Sequence, residues 1–442
     1  MKKIWLGLIL IVLASVVYLS FKIGFYFTNN LLLNSIIISI EIFCTLFTAY
    51  TSIIGYLGLR KHNKTKVVKP EKSFAVIVAA HNEEKVVADI VDNLNNLDYP
   101  KSLYDVYVIC DNCADRTADI VREHGGIAME RFDTSKKGKG YALEWMFDHL
   151  WKIEEDGKAY DAIVMFDADN LVAENFLSIA NTKLLEGHDV IQGYLDSKNP
   201  NDTWITKSYA YSYWATNRVF QLSREHLGLS AQLGGTGVIV ASHILKTMGW
   251  GATSLTEDLE FTQRYILKTG KRVVWAHDAK VFDEKPLEFK ASWKQRIRWM
   301  QGHADCMMRY SPKMLKAFIK KPKLIYLDSL IYLLQPSKII INLVLMILSL
   351  YSLTHVIFNN SSIFSGPLSL IFFTTLFLIF NVLPLIGIFL ETSYKVVLWT
   401  PFVYLFSLSW LPITLLGFLK RNQKVWSHTE HTRSVLENTR NK

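Results

Sequence analysis

The sequence predicts an α/β domain inserted between α-helical transmembrane segments. Long apolar runs stand at both ends of the chain, and a polar stretch from Arg60 to Lys323 separates them. Within that stretch, short β-branched runs alternate with helix-like spacing, the pattern of a strand-helix-strand fold.

Composition sets the outer limits. Of 442 residues, 50% are hydrophobic and 20% charged, and mean hydropathy is +0.16. That balance excludes intrinsic disorder and is too apolar for an ordinary soluble enzyme of this length. Four cysteines cannot staple a small secreted scaffold. The net charge of +9 fits anionic lipid, phosphorylated substrates or nucleic acid, so charge alone selects none of them.

Taken in order, Ile4–Phe27 carries only Lys22 and Leu31–Leu59 only Glu41. Each exceeds the roughly 20 residues that cross a bilayer, so residues 1–59 read as two spans rather than a cleaved signal peptide. Residues 60–305 form the central domain. Phe74–Ala80, Val106–Cys110 and Ile163–Phe166 read as buried strands of a mostly parallel sheet, and Glu83–Leu97, Thr117–Glu123 and Lys139–Trp151 as helices. Residues 306–338 are basic and then amphipathic, suggesting interfacial helices, with Leu324–Gln335 too short to cross. Residues 339–419 divide at His355–Pro367 and Glu391–Lys395 into three spans, and residues 420–442 are a basic tail. Basic clusters on both flanks of the domain place it in the cytoplasm. Three full C-terminal spans would put the tail outside, so one of them is expected not to cross.

In a doubly wound sheet, ligands sit beyond the carboxyl ends of the strands. There stand His81-Asn82-Glu83, Asp111-Asn112 and Asp167-Ala168-Asp169. Two carboxylates one residue apart at a strand end suit Mg²⁺ or Mn²⁺. Farther along come Thr256-Glu257-Asp258 and Gln295-Arg296-Ile297-Arg298-Trp299. Cys110 and Cys113 have no second pair to complete a zinc site, and no Walker loop is present.

The last four of these pieces, from Asp111 to Trp299, in this order and between two membrane blocks, resemble the membrane-embedded processive enzymes of glycosyltransferase family 2: the cellulose, hyaluronan, chitin and poly-N-acetylglucosamine synthases. The resemblance covers roughly Phe74 to Gly302 and implies a GT-A-like nucleotide-sugar-binding fold. It implies an inverting β-glycosyltransferase that draws on a UDP-sugar donor, extends a growing polysaccharide and sits as a multi-pass protein in the cell membrane. A small accessory subunit fits that scheme, and nucleic acid does not.

By the same resemblance His81, Glu83, Asp111 and Lys139 bind the donor, with Asp167, Gln295 and Arg298 at its diphosphate. Asp167 and Asp169 hold the metal. Asp258 is the general base beside Glu257. Trp299, Gly235 and Thr236 meet the acceptor, and Trp426–Arg433 in the tail resembles a gating loop. Single addition to a polyprenyl-phosphate or other lipid, and an inactive transport subunit, are the alternatives.

Overall fold

A computed structural model describes residues 31–57, 59–251, 253–341 and 385–423. The expected first span, most of the region between Ile339 and Pro384, and the Trp426–Arg433 segment lie outside them.

The central domain is built on one eight-stranded sheet. Its strands are β1 (Phe74–Ala80), β2 (Tyr104–Asp111), β3 (Ile127–Arg131), β4 (Ala162–Asp167), β5 (Leu171–Val172), β6 (Val190–Ser197), β7 (Val238–Ala241) and β8 (Val274–Asp283), in the order β3-β2-β1-β4-β7-β6-β8-β5. Strand periodicity explains the two cores. Ala75, Ile77, Tyr107, Ile109, Ile163 and Met165 bury into one side. Phe74, Val76, Val78, Val106, Val108, Val164 and Phe166 bury into the other. Strands apolar on both faces need helices on both faces, and the chain supplies them at Val87–Asn95, Thr117–Glu123, Lys139–Glu155 and Phe176–Leu185.

The expected mostly parallel sheet is present, and one expectation needs correction. The sheet is parallel from β3 through β4, but β7 pairs antiparallel with both β4 and β6. The expected Glu83–Leu97 helix starts only at Val87. Residues 82–84 are tied to the loop after β2 instead, where the Glu83 amide donates to Thr117 Oγ1 (2.9 Å) and the Glu84 amide to Asp115 (3.2 Å). Asn82 and Asn112, just beyond β1 and β2, take left-handed φ values of 56° and 52°, which asparagine tolerates better than most residues.

The described segments that flank this domain are fastened to it. Leu31–Leu57 is one helix of 27 residues. Its Tyr50 hydroxyl donates to Asp328 (3.2 Å), and Asp328 receives two 2.8 Å hydrogen bonds from the Arg224 guanidinium. Leu324–Leu333, expected at an interface, therefore buries its one charge against the domain. It continues into Gln335–Ile341 at a bend of 48°. Glu391, expected between spans, also has its carboxylate largely buried. It pairs with Arg218 (3.1 Å) and accepts from the Tyr194 hydroxyl (3.1 Å). A buried carboxylate without such partners would cost several kcal/mol. Nor does the backbone break at residue 305, because Phe289–Lys320 is a single helix of 32 residues. Among the described residues one helix, Lys395–Leu419, is long and apolar enough to cross a membrane, and the bent pair at 324–341 passes the same test only when joined.

Candidate active site

The carboxyl ends of β1 and β4 adjoin, with Ala79 level with Asp167. Strand order turns there, because β1 is followed in sequence by β2 on one side and the chain returns as β4 on the other. A cleft of about 540 Å³ opens beyond this point. It is lined by residues from segments far apart in sequence: Glu83, Lys139, Asp167, Asp169, Gly235, Thr236, Glu257, Asp258, Gln295, Arg298 and Trp299. Eleven of the thirteen expected site residues thus share one wall-to-wall space.

His81 and Asp111 do not line it. The His81 ring Nδ1 lies 2.6 Å from the Asp111 carbonyl oxygen, and the Asp111 carboxylate accepts from Arg131 (2.5 Å) and from Asn112 Nδ2 (2.8 Å). Asp111 is buried, so a counter-charge is needed, and β3 brings Arg131 alongside. An Arg at the end of a strand bearing exposed residues offered no signal in the sequence.

At the centre, Lys139 forms an ion pair with Asp167 and donates to the Gly235 carbonyl (2.6 Å). Burial acts to lower the Lys139 ammonium, but Asp167, Glu257 and Asp258 outweigh it and its pKa is raised. Asp258 moves further. Desolvation first, and then the Glu257 carboxylate, push it up to about 7, while Lys139 pulls the other way. Glu257 is raised chiefly by desolvation. A carboxylate near neutrality is matched to removing a proton from a hydroxyl.

Asp169 is buried and held from two sides, by Asn170 Nδ2 (3.0 Å) and by the Glu284 amide (3.1 Å). Asp283, at the end of β8, also lines the cleft, and burial followed by Asp169 raises it to about 6. The strand-end rule that flagged Asp167 applies to Asp283 as well. In the sequence β8 mixes polar and apolar residues, so it does not read as a buried strand.

The Gln-x-x-Arg-Trp segment lies near the start of the Phe289–Lys320 helix, and its side chains divide. Gln295 accepts from the Tyr209 hydroxyl (3.0 Å), and Arg298 and Trp299 face the cleft. Arg296 points away, fully buried, donating to Ser409 Oγ (2.7 Å) with its guanidinium 4.0 Å from the Phe406 ring centroid. Trp299 stands edge-on to Tyr209 at 6.1 Å, so it is a wall of the cleft braced from behind. Farther along, a Cβ on Gly302 would lie 2.4 Å from Thr256 Oγ1 and 2.7 Å from the Thr256 amide nitrogen. Only glycine lets this helix press directly on the Thr-Glu-Asp turn.

Thr236, expected at the acceptor, has its hydroxyl engaged elsewhere. It donates to Asn170 Oδ1 and accepts from the Asp167 amide (3.3 Å). Tyr213, His303 and Tyr332 complete the cleft. No pattern in the sequence marked them, because each sits within an ordinary helical stretch.

Residues 70–302 match the sequence family described as "Glycosyltransferase like family 2". The chain belongs to this family. Among its curated relatives is the beta-monoglucosyldiacylglycerol synthase of Nostoc sp. (strain PCC 7120), 28% identical over 60% of this chain and 56% of that protein. Another is the poly-beta-1,6-N-acetyl-D-glucosamine synthase of Staphylococcus epidermidis, 22% identical over 61% of this chain and 66% of that one. The chain therefore matches less than two thirds of the length of either relative. In structure, the glycosyltransferase domain and its flanking helices resemble the mannosyltransferase PcManGT of Pyrobaculum calidifontis, solved with GDP-Man and Mn2+, at a TM-score of 0.57 and 16% identity, over 88% of this chain and 98% of that one. The shared fold is the GT-A-like α/β fold.

Proposed function

We propose that this glycosyltransferase moves a sugar from UDP onto the terminal hydroxyl of a growing glycan at a membrane, with inversion to a β-linkage. One observation carries the reading: a carboxylate raised toward neutrality, a strand-end carboxylate pair, an arginine and a flat aromatic wall, drawn from three separate segments, meet in one cleft.

In this reading Asp258 takes the proton from the acceptor hydroxyl while its oxygen attacks the anomeric carbon. The bond from that carbon to the diphosphate oxygen breaks, and UDP leaves from the opposite face. Attack and departure on opposite faces turn an α-linked donor into a β-linked product. Arg298 offers a forked donor to the departing diphosphate, joined by Gln295 and Lys139. Trp299, beside Gly235, offers a face to the acceptor sugar.

The donor set suits a divalent cation. Glu83, Asp167, Asp169, Glu257, Asp258, Asp283 and Glu284 outnumber Lys137, Lys139 and Arg298 along the cleft walls, and carboxylate oxygens are the ligands that Mg²⁺ and Mn²⁺ prefer. Asp167 and Asp169 would hold such an ion, which when bound neutralises charge on the diphosphate. The Mn²⁺ and nucleotide sugar in the PcManGT complex agree with this.

The test is mass analysis of products made by the purified chain with Mn²⁺ and a panel of UDP-sugars. A ladder of repeating mass supports the polymer reading. A single sugar added to a lipid would instead favour the second reading, which the diacylglycerol-glucosylating relative supports. UDP-sugar left intact by every acceptor tried would overturn both.

Two further outcomes follow from the geometry. The base acts only when ionised, so kcat/KM for transfer should rise with pH through about 7 and then level. Each unit below that range should cost about tenfold. A flat profile from pH 5 to 8 would remove Asp258 from the role. Trp299→Ala should raise the ratio of water-driven UDP release to glycosyl transfer by a few-fold to about tenfold, the value of one aromatic face. An unchanged ratio, with only lower stability, would make Trp299 a packing residue.

A further inference from the structure

Four side chains, of which the sequence marks Thr236 and Lys139 but not Asn170 and Gln192, connect the carboxylate pair to the loop beside the base. Asp167-Ala168-Asp169-Asn170 closes a turn, the Asn170 amide donating to the Asp167 carbonyl (3.2 Å). Inside this turn the Asn170 side chain is buried and hydrogen-bonded through both Oδ1 and Nδ2. Its Oδ1 accepts from the Asp167 amide (3.1 Å) and from the Thr236 hydroxyl, and its Nδ2 donates to Asp169 Oδ1 (3.0 Å). Thr236 is buried too, and its Oγ1 shares the Asp167 amide (3.3 Å).

The Thr236 loop is itself held from below. Gln192, fully buried on β6, accepts from the Gly234 amide (2.9 Å) and donates to the Thr236 carbonyl (2.9 Å). Above, Lys139 links the Gly235 carbonyl to the Asp167 carboxylate. Gly235 has a φ of 82°, and a Cβ there would sit 3.6 Å from Asp258 Oδ2. Hydrogen bonds thus run from the carboxylate pair through Asn170 to Thr236, and the same loop passes beside the base at Gly235. A carboxylate free to rotate about its side-chain bonds would lose that geometry, and buried, fully satisfied polar networks are what lock such rotamers.

We propose that Asn170 and Thr236 are positioning residues that set the Asp167/Asp169 pair at a fixed distance from the Asp258 base through the Gly234–Gly237 loop, so that the metal-bearing donor and the acceptor hydroxyl are presented in register. The proposal rests on the donor-and-metal reading of the cleft. It also reassigns Thr236 from contact with the acceptor to support of the donor side.

The test is calorimetric binding of UDP with Mn²⁺ to the purified full chain, beside transfer kinetics and thermal unfolding. Thr236→Val keeps the shape and deletes the hydroxyl. It should weaken binding of the Mn²⁺–UDP pair by roughly 10–100-fold, the scale of losing an outer-shell partner of a metal ligand. KM for the acceptor should stay unchanged. Thr236→Ser, which keeps the hydroxyl, should return binding to within about threefold of the parent chain on the same grounds. Thr236→Ala gives the same expectation as Thr236→Val and covers the case in which valine does not fit. Parent-like Mn²⁺–UDP affinity in Thr236→Val or Thr236→Ala, or a raised acceptor KM with donor affinity intact, would overturn the positioning role alone. No binding of Mn²⁺–UDP by the parent chain would overturn the functional reading and this proposal with it.

Discussion

Asp258→Asn is expected to lower glycosyl transfer on the order of 10²- to 10⁴-fold, the usual contribution of a positioned general base. The substitution keeps shape and removes the charge. Asp258 Oδ1 accepts from the Leu259 amide (2.7 Å), and an asparagine carbonyl oxygen can do the same. The fold should therefore persist, and UDP should bind nearly as before. Removing the negative charge also relieves its repulsion with Glu257, which helps to raise Asp258, so unfolding temperature should not fall. Stopped-time assays of transfer, with UDP binding measured in parallel, separate the two effects. Transfer at the parent rate would exclude Asp258, and Glu257 would become the candidate base.

Asp169→Ala carries the second large effect. Asp169 is buried, with Asn170 and the Glu284 amide directed at its oxygens. Alanine strands those donors and removes a hard oxygen ligand. Loss of Mn²⁺ affinity should exceed the roughly 10–100-fold typical of losing an outer-shell partner, and transfer should disappear with it. Adding EDTA to the parent chain should abolish transfer in the same way, with Mn²⁺ or Mg²⁺ restoring it. An EDTA-insensitive parent rate would sink the metal assignment and leave Lys139 and Arg298 as the diphosphate's counter-charges.

The parallel half of the domain was legible because its strands are apolar on both faces and stand between helical spacings. Phe74–Ala80 and Thr117–Glu123 were placed to the residue. Antiparallel β7 was not, since Val238–Ala241 is four apolar residues long and a short apolar run has no direction. The charged residues Asp328 and Glu391 read as membrane-flanking because their partners, Arg224 and Arg218, lie more than a hundred positions away.

The sequence by itself determined the chemistry-bearing set. Carboxylates at strand ends follow from local strand patterns, and the Thr-Glu-Asp and Gln-x-x-Arg-Trp segments stand out through the resemblance to the family. Only the tertiary structure decided how those residues are used. It put Arg131 on Asp111, turned Arg296 away from the cleft while Arg298 faces it, and gave the Thr236 hydroxyl to Asn170. Each of these is a buried polar group finding its partner across the fold. The need for a partner follows from desolvation and is general, but which residue supplies it depends on how distant segments pack, and no local pattern carries that information.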